Sequence, residues 1–215
     1  MVRRVVKRGS RFAVQTSSTE YLCDFVIFAA PTFLAPYIVE NFPRLNDFEY
    51  SPWLTANLVL ERLPNSFREG GAWDNVVMSS PTLGYVDAMH QSVRTFVDRT
   101  VWTFYWALNQ GTPAENRRVL LSRDWNYWKE AILNDLSRVH PDIRSCVSRI
   151  DIMRLGHAMA RPKVGAIFSE ERQKLIASRS RLTFANSDLS GFSIFEEAQY
   201  RGIEAANRAL RLLSG

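Results

Sequence analysis

Residues 24–31, Asp-Phe-Val-Ile-Phe-Ala-Ala-Pro, constrain the fold of this chain more than any other stretch. Six apolar residues run unbroken from Phe25 to Ala30 and end at a proline. A strand with one wet face alternates polar and apolar residues. This one does not, so it reads as a strand buried on both faces, the kind that parallel sheets contain. The surrounding chain supplies both helices and strands, which sets the fold in the mixed α/β (α+β) class. The apolar stretch Phe25–Val39 is fifteen residues long and is broken by Pro31, Thr32 and Pro36. A membrane span needs about 20 apolar residues. No membrane span is therefore expected, and without a signal-peptide core after Met1 the default expectation is a soluble, cytoplasmic protein.

The pattern divides the chain of 215 residues into three pieces. Val2–Thr16 alternates β-branched and aromatic residues around Gly9-Ser10 and predicts a hairpin, followed by polar turn residues 17–20. Thr32 is expected to cap a short helix over 33–41. From residue 46 the character changes: 51–61, 74–79, 83–90 and 100–108 have strand composition and predict an antiparallel sheet rich in tryptophan and tyrosine. Residues 114–139 read as helical, with Asp124 as a cap and Trp125, Trp128, Ile132, Leu133 and Leu136 as the buried stripe. His140-Pro141 stops that helix. A strand near 147–154 and a loop over 156–165 follow. The last piece is a strand at 181–185, a polar loop and a helix over 193–213. Ser193 and Glu196 have the spacing of a capping box. Ala198, Gly202, Ala205 and Ala206 would let that helix lie close to a sheet.

Charge and cysteine usage exclude several functions. Twenty-seven basic and 22 acidic side chains give a net charge of +5, but the arginines are dispersed and do not mark a nucleic-acid binder. Cys23 and Cys146 alone exclude a disulfide scaffold and make no zinc site. No two of the three histidines have metal-ligand spacing, so no metal is expected. No nucleophile elbow or Ser–His–acid motif is present.

The segment 182–206 carries a resemblance. Phe184, Ala185, Asp188, Glu196, Ala198, Gly202, Ala205 and Ala206 match, in order, the C-terminal flavin-binding signature of the FAD-dependent amine oxidase superfamily, whose relatives include carotenoid desaturases and protoporphyrinogen oxidases. Asn186 and Glu197 stand where that signature has glycines. Val2–Pro31 and Arg154–Pro162 resemble two further segments of the family.

The resemblance implies FAD as cofactor and hydride transfer from a substrate C–H, in some members beside an amine, to flavin N5. It implies that 1–45 and 178–215 form a partial, Rossmann-like FAD-binding domain. Residues 46–177 would form a substrate domain with a mainly antiparallel sheet backed by helices. Val5, Ala30, Pro31, Ser187, Asp188, Ser193, Ile194 and Phe195 would meet the cofactor. Trp53, Tyr105 and His157 would meet a small-molecule substrate. No acid or base is demanded by that chemistry, so no catalytic residue is assigned. The strand 51–61 lacks the lysine that several amine oxidases place under the flavin, which favours a dehydrogenase over an oxidase using molecular oxygen.

None of the ten glycines forms the Gly-x-Gly-x-x-Gly phosphate loop with which the family begins. The chain thus reads as the C-terminal portion of a member about twice as long, and enzymatic activity is expected only once the missing half is supplied. Two partners stay open: a separate N-terminal dinucleotide-binding chain, or a second copy of this one. The rival reading is a non-catalytic half-fold serving as a subunit or interaction protein that does not bind FAD alone.

Overall fold

The computed structural model describes residues 1–67, 71–93, 97–178 and 180–214, the side chain of Gln91 excepted. The chain divides into two compact units, Met1–Glu49 with Met159–Gly215, and Tyr50–Ala158. Residues 159–177, placed with the substrate domain by their sequence, lie in the first unit. The reason is visible in their helix, whose Leu175 enters the first unit's core.

The first unit opens with the expected hairpin, β1 (Val2–Arg8) and β2 (Arg11–Thr16). Gly9 adopts a left-handed φ of 61° at the turn, which a side chain would strain. A third strand, β3 (Glu20–Cys23), extends the sheet in the order β1-β2-β3. Only its first residue, Glu20, falls in the stretch read as a polar turn, and no strand is expected from residues 21–23. The apolar run forms β4 (Val26–Phe28), and it pairs in parallel with β10 (Leu182–Phe184), in register Val26↔Leu182 and Phe28↔Phe184. Ile27 is 42% exposed, so the strand is not covered on both faces in this chain.

Thr32 does not cap α1 (Ala35–Ile38) through its side chain. Residues 32–34 form a tight turn before the helix, and Thr32 is buried with its hydroxyl unpartnered. The unit's core is Val5, Phe12, Phe28, Ala35, Val39, Leu182, Phe184 and Leu189 with Leu175 of α5 (Glu170–Ala177). The chain ends in α6 (Phe195–Leu213).

The second unit is a sheet backed by helices. Strands β5 (Phe48–Leu60), β6 (Asp74–Asn75), β7 (Gly84–Asp87), β8 (Thr100–Ala107) and β9 (Val147–Pro162) lie in the order β6-β7-β8-β5-β9. The pairs β6/β7, β7/β8 and β8/β5 are antiparallel. Residues 156–162 are strand rather than the expected loop, because β9 runs through Gly156 to Pro162. Leu54, Ala56, Leu58 and Leu60 of β5 face Trp102 and Phe104 of β8 on one side of the sheet. Against them pack α2 (Pro113–Ser122), α3 (Trp125–Ser137) and α4 (Ile143–Cys146).

The region expected to be helical over 114–139 holds two helices, divided at Asp124. Asp124 caps the second, accepting from the Tyr127 amide at 2.8 Å. Trp128, Ile132, Leu133 and Leu136 are buried as expected, whereas Trp125, in the first turn, is 48% exposed. Each of those buried side chains contributes about 1.5–3 kcal/mol of transfer free energy.

The stop at His140 is more than a helix end. Its imidazole is 7% exposed, with Nδ1 2.6 Å from the Ser66 hydroxyl and Nε2 2.6 Å from the Tyr85 hydroxyl. Burial holds it below the ordinary histidine pKa and raises the Tyr85 hydroxyl. Tyr85 in turn stacks on Trp102, ring centres 4.0 Å apart.

Candidate cofactor and substrate sites

Parallel pairing brings the C-terminal ends of β4 and β10 together, the end at which open α/β sheets bind their ligands. The loops leaving those ends are tied to each other by backbone and side chains. The Ala185 amide donates to the Phe28 carbonyl at 3.0 Å, continuing the ladder. Asp188, 7% exposed, accepts the Thr32 amide at 2.8 Å on Oδ2. Asn186 accepts the Asp188 amide at 3.0 Å and donates from Nδ2 to the Ala29 carbonyl at 3.4 Å. The asparagine that stands where the family signature has a glycine is therefore a crosslink between loops. Gly191, at φ 74°, closes the turn by donating to the Asp188 carbonyl at 3.0 Å.

Ala30, Pro31, Ser187, Asp188, Ser193, Ile194 and Phe195 all lie on these two loops or at the start of α6. Val5 does not. It is 3% exposed within the core, its carbonyl accepts from the Glu40 amide at 2.9 Å, and it bridges to Val39 beyond α1.

Ser193 does not cap α6. Its hydroxyl accepts the Ala160 amide at 2.9 Å, and Ile194 takes the N-cap position with no side-chain hydrogen bond. The first-turn amides are thus left without a side-chain cap, beside Glu196 and Glu197 in the same turn. Ile194 and Phe195 are 52% and 74% exposed.

Two arginines that sequence alone does not single out hold the loop from behind. Arg172 donates from Nε to the Leu189 carbonyl and from Nη1 to the Ile167 carbonyl, at 2.5 and 2.7 Å. Arg201 donates from Nε to the Ser190 hydroxyl at 2.8 Å. Burial and the neighbouring Arg201 lower the Arg172 pKa. The signal was indirect: an arginine on a short capped helix looks like surface until the helix is placed.

To the ring end of an FAD this loop cluster would offer uncapped backbone donors at the start of α6 and the exposed Ile194 and Phe195 beside them. The diphosphate end is different. It requires consecutive backbone amides crowded by glycines at a helix start. Among the described residues the left-handed glycines 9, 84, 111, 165 and 191 each sit singly in a turn. No such cradle for an ADP group is present among the described residues.

In the second unit, strand alternation assigns Trp53 and Tyr105 to the face opposite the helices. Trp53 alternates with buried Pro52 and Leu54, and Tyr105 with Phe104. Thr55 pairs with Tyr105 and Trp53 with Ala107, which makes the two aromatics diagonal neighbours. Asn57 and Thr103 continue the same face, joined by a 2.9 Å hydrogen bond from the threonine hydroxyl. Gly84 pairs with Tyr105, and any side chain there would collide with the Asn75 carbonyl. Burial, with Asp74 nearby, raises the Tyr105 hydroxyl pKa.

His157, on β9, lies edge-on to the Tyr50 ring at 6.2 Å. Partial burial and the charge of Arg117 keep it below the ordinary histidine range. That arginine anchors the strand ends, donating to the Gly156 carbonyl at 2.7 Å and the Tyr50 carbonyl at 3.1 Å. Trp102 and Trp106 belong to the helix-backed core, and Trp73 stacks on His90. Among the described residues, no group of three or more His, Cys, Asp or Glu side chains could hold a metal. No helix among them is long and apolar enough to cross a membrane.

Solved structures with this architecture are known. Cyclohexylamine oxidase from Brevibacterium oxydans IH-35A superposes with a TM-score of 0.66 at 14% identity, over 99% of this chain and 48% of that one. This chain shares the fold of that oxidase over about half of the latter's length. A protoporphyrinogen oxidase, assigned as such in Exiguobacterium sp. 255-15, matches at a TM-score of 0.58 and 11% identity over 96% of this chain and 46% of that one. A fatty acid isomerase from P. acnes, which produces CLA, matches at 0.60 and 9% over the same shares, 96% and 46%. No family profile and no curated protein matches the sequence. This chain spans about half the length of the solved structures it matches.

Proposed function

We propose that the chain is the C-terminal part of an FAD-dependent oxidoreductase of amine oxidase type, acting on a C–H bond of a small molecule, in the amine case one beside nitrogen. The observation that carries this reading is the crosslinked loop pair at the C-terminal ends of two parallel strands, within the superfamily fold. Bound FAD would supply the hydride acceptor at its N5 atom.

The chain's own residues position and exclude. Asn186, Asp188 and Thr32 hold two loops at one spacing, so that the backbone of 187–195 is presented in a fixed form. The unshared amides at the start of α6 are donors for a polar ring edge. Trp53 and Tyr105 give the substrate domain an apolar, half-buried floor suited to an uncharged organic group rather than an ion. No acid or base on this chain is assigned to the reaction.

One observation favours a second reading, a half-fold that acts as a subunit. Phe195, Ile203, Leu210 and Leu213 follow one another at spacings of eight, seven and three residues, which keeps them on one side of α6, and are 52–74% exposed. That apolar face is what a separate dinucleotide-binding chain, or a second copy, would cover.

The test is the visible spectrum of the purified chain, alone and after mixing with a separately produced dinucleotide-binding half. The expected result is a colourless chain alone and stoichiometric flavin absorbance in the mixture. A chain that forms a complex with such a half yet leaves the flavin free would sink the oxidoreductase reading and leave the subunit reading.

A further inference from the structure

The other side of α6 carries a second feature, independent of the flavin reading. Arg201, Ala205, Arg208 and Leu212 recur at helical spacing and look into a cleft of about 470 Å³ between α6, α5 and β10. Its floor is apolar, built from Leu175, Phe184, Leu189, Ala205 and Leu212. Its rim is cationic: Arg201, Arg208 and Arg211 line it, with Glu204 as the only carboxylate.

Arg201 is engaged with Ser190, but Arg208 and Arg211 have no ion pair or hydrogen bond among the described residues. Glu204, one turn before Arg208, does not pair with it either. Arginines drawn together over an apolar floor repel one another unless an anion is present. A cleft of this size is within the range of small-molecule sites, which are mostly apolar with a few placed polar groups.

We propose that this cleft binds a single-chain amphipathic anion, its chain on the Leu175–Phe184–Leu212 floor and its carboxylate or phosphate head against Arg208 and Arg211. The guanidinium pair reads the anionic head by charge-assisted hydrogen bonds, and the floor reads the chain by burial. Neither half of the cleft selects alone: inorganic phosphate lacks the chain, and a fatty alcohol lacks the head.

Titration calorimetry on the 215-residue chain with laurate, dodecyl phosphate, dodecanol and inorganic phosphate tests this. Laurate or dodecyl phosphate is expected to bind at one site, the tighter of the two identifying the head, and each at least about tenfold more tightly than dodecanol or inorganic phosphate. The double variant Arg208→Gln/Arg211→Gln should lose about tenfold for the anions and little for dodecanol. Ile203→Glu/Leu210→Glu, on the opposite apolar face, should leave anion binding unchanged. A diazirine-bearing laurate gives a reading that needs no variant: its crosslinks should fall within residues 175–212. Equal binding of dodecanol and laurate, loss of binding in the opposite-face variant, or crosslinks confined to other segments would overturn the proposal.

Discussion

Asp188 shows how much one side chain in this fold can hold. Its carboxylate is nearly dry and accepts an amide from a residue 156 positions away in the chain. Asp188→Ala leaves the Thr32 amide buried without an acceptor, and is expected to lower stability by about 2 kcal/mol in urea denaturation, with Asp188→Asn costing about half as much. His140 gives a pH dependence. Burial lowers its pKa from the ordinary 6.5, so the unfolded chain binds a proton that the folded chain resists. Asp142, the nearby carboxylate, opposes this and is the smaller influence. The contribution is complete above the ordinary value and is lost as pH falls through it toward the depressed folded value. The urea midpoint should therefore drop between about pH 7.5 and 5.5, and drop less in His140→Gln. Identical slopes for the two proteins would show that the histidine does not report folding.

Two helices make a controlled comparison at the next scale up. Thr112-Pro-Ala-Glu115 and Ser193-Ile-Phe-Glu196 both have the spacing of a capping box. The first forms one: Thr112 accepts from the Glu115 amide at 3.3 Å and Glu115 accepts from the Thr112 amide at 3.0 Å. The second does not, because the Ser193 hydroxyl is taken by the Ala160 amide. Glu196→Ala should thus change stability by less than about 0.5 kcal/mol, whereas Ser193→Ala should cost about 1 kcal/mol. Hydrogen exchange distinguishes the causes: in Ser193→Ala the Ala160 amide should exchange faster, with the first turn of α6 unaffected. The same element explains the small residues read as a packing stripe. Of Ala198, Gly202, Ala205 and Ala206 only Ala205 is buried, and a Cβ on Gly202 would meet nothing within 4 Å.

At the scale of the whole chain, α6 is a helix with two different outer faces and one buried contact. Its apolar face bears Phe195, Ile203, Leu210 and Leu213, which are exposed in a chain that spans about half of the structures it matches. Ile203→Glu/Leu210→Glu is expected to leave folding stability within about 1 kcal/mol, since neither side chain is in the core. It should also reduce self-association in sedimentation velocity and abolish complex formation with a dinucleotide-binding half. A double variant that assembles as well as the parent would show that this face is not the one covered. The exposed Ile27 of β4 tells the same story from the sheet: six apolar residues prescribe burial that these 215 residues do not by themselves provide.

Local patterning determined most of the elements. The Val2–Thr16 hairpin, β4, the alternating β5 and β8, and the α3 stripe are each set by side-chain period, which a short window contains. The order of signature residues from Phe184 to Ala206 also pointed to a fold, and the solved oxidases that the chain matches share it. Tertiary structure decided the rest, because it depends on atoms far apart in the chain. It placed residues 159–177 in the first unit, carried β9 through Gly156, and turned Ser193 from a cap into a strand anchor. It also made Asn186 and Asp188 crosslinks between β4 and β10, and gathered Arg201, Arg208 and Arg211 above an apolar floor. A hydroxyl or carboxylate bonds whichever donor the fold brings within reach, and spacing along the chain names only the nearest of the candidates.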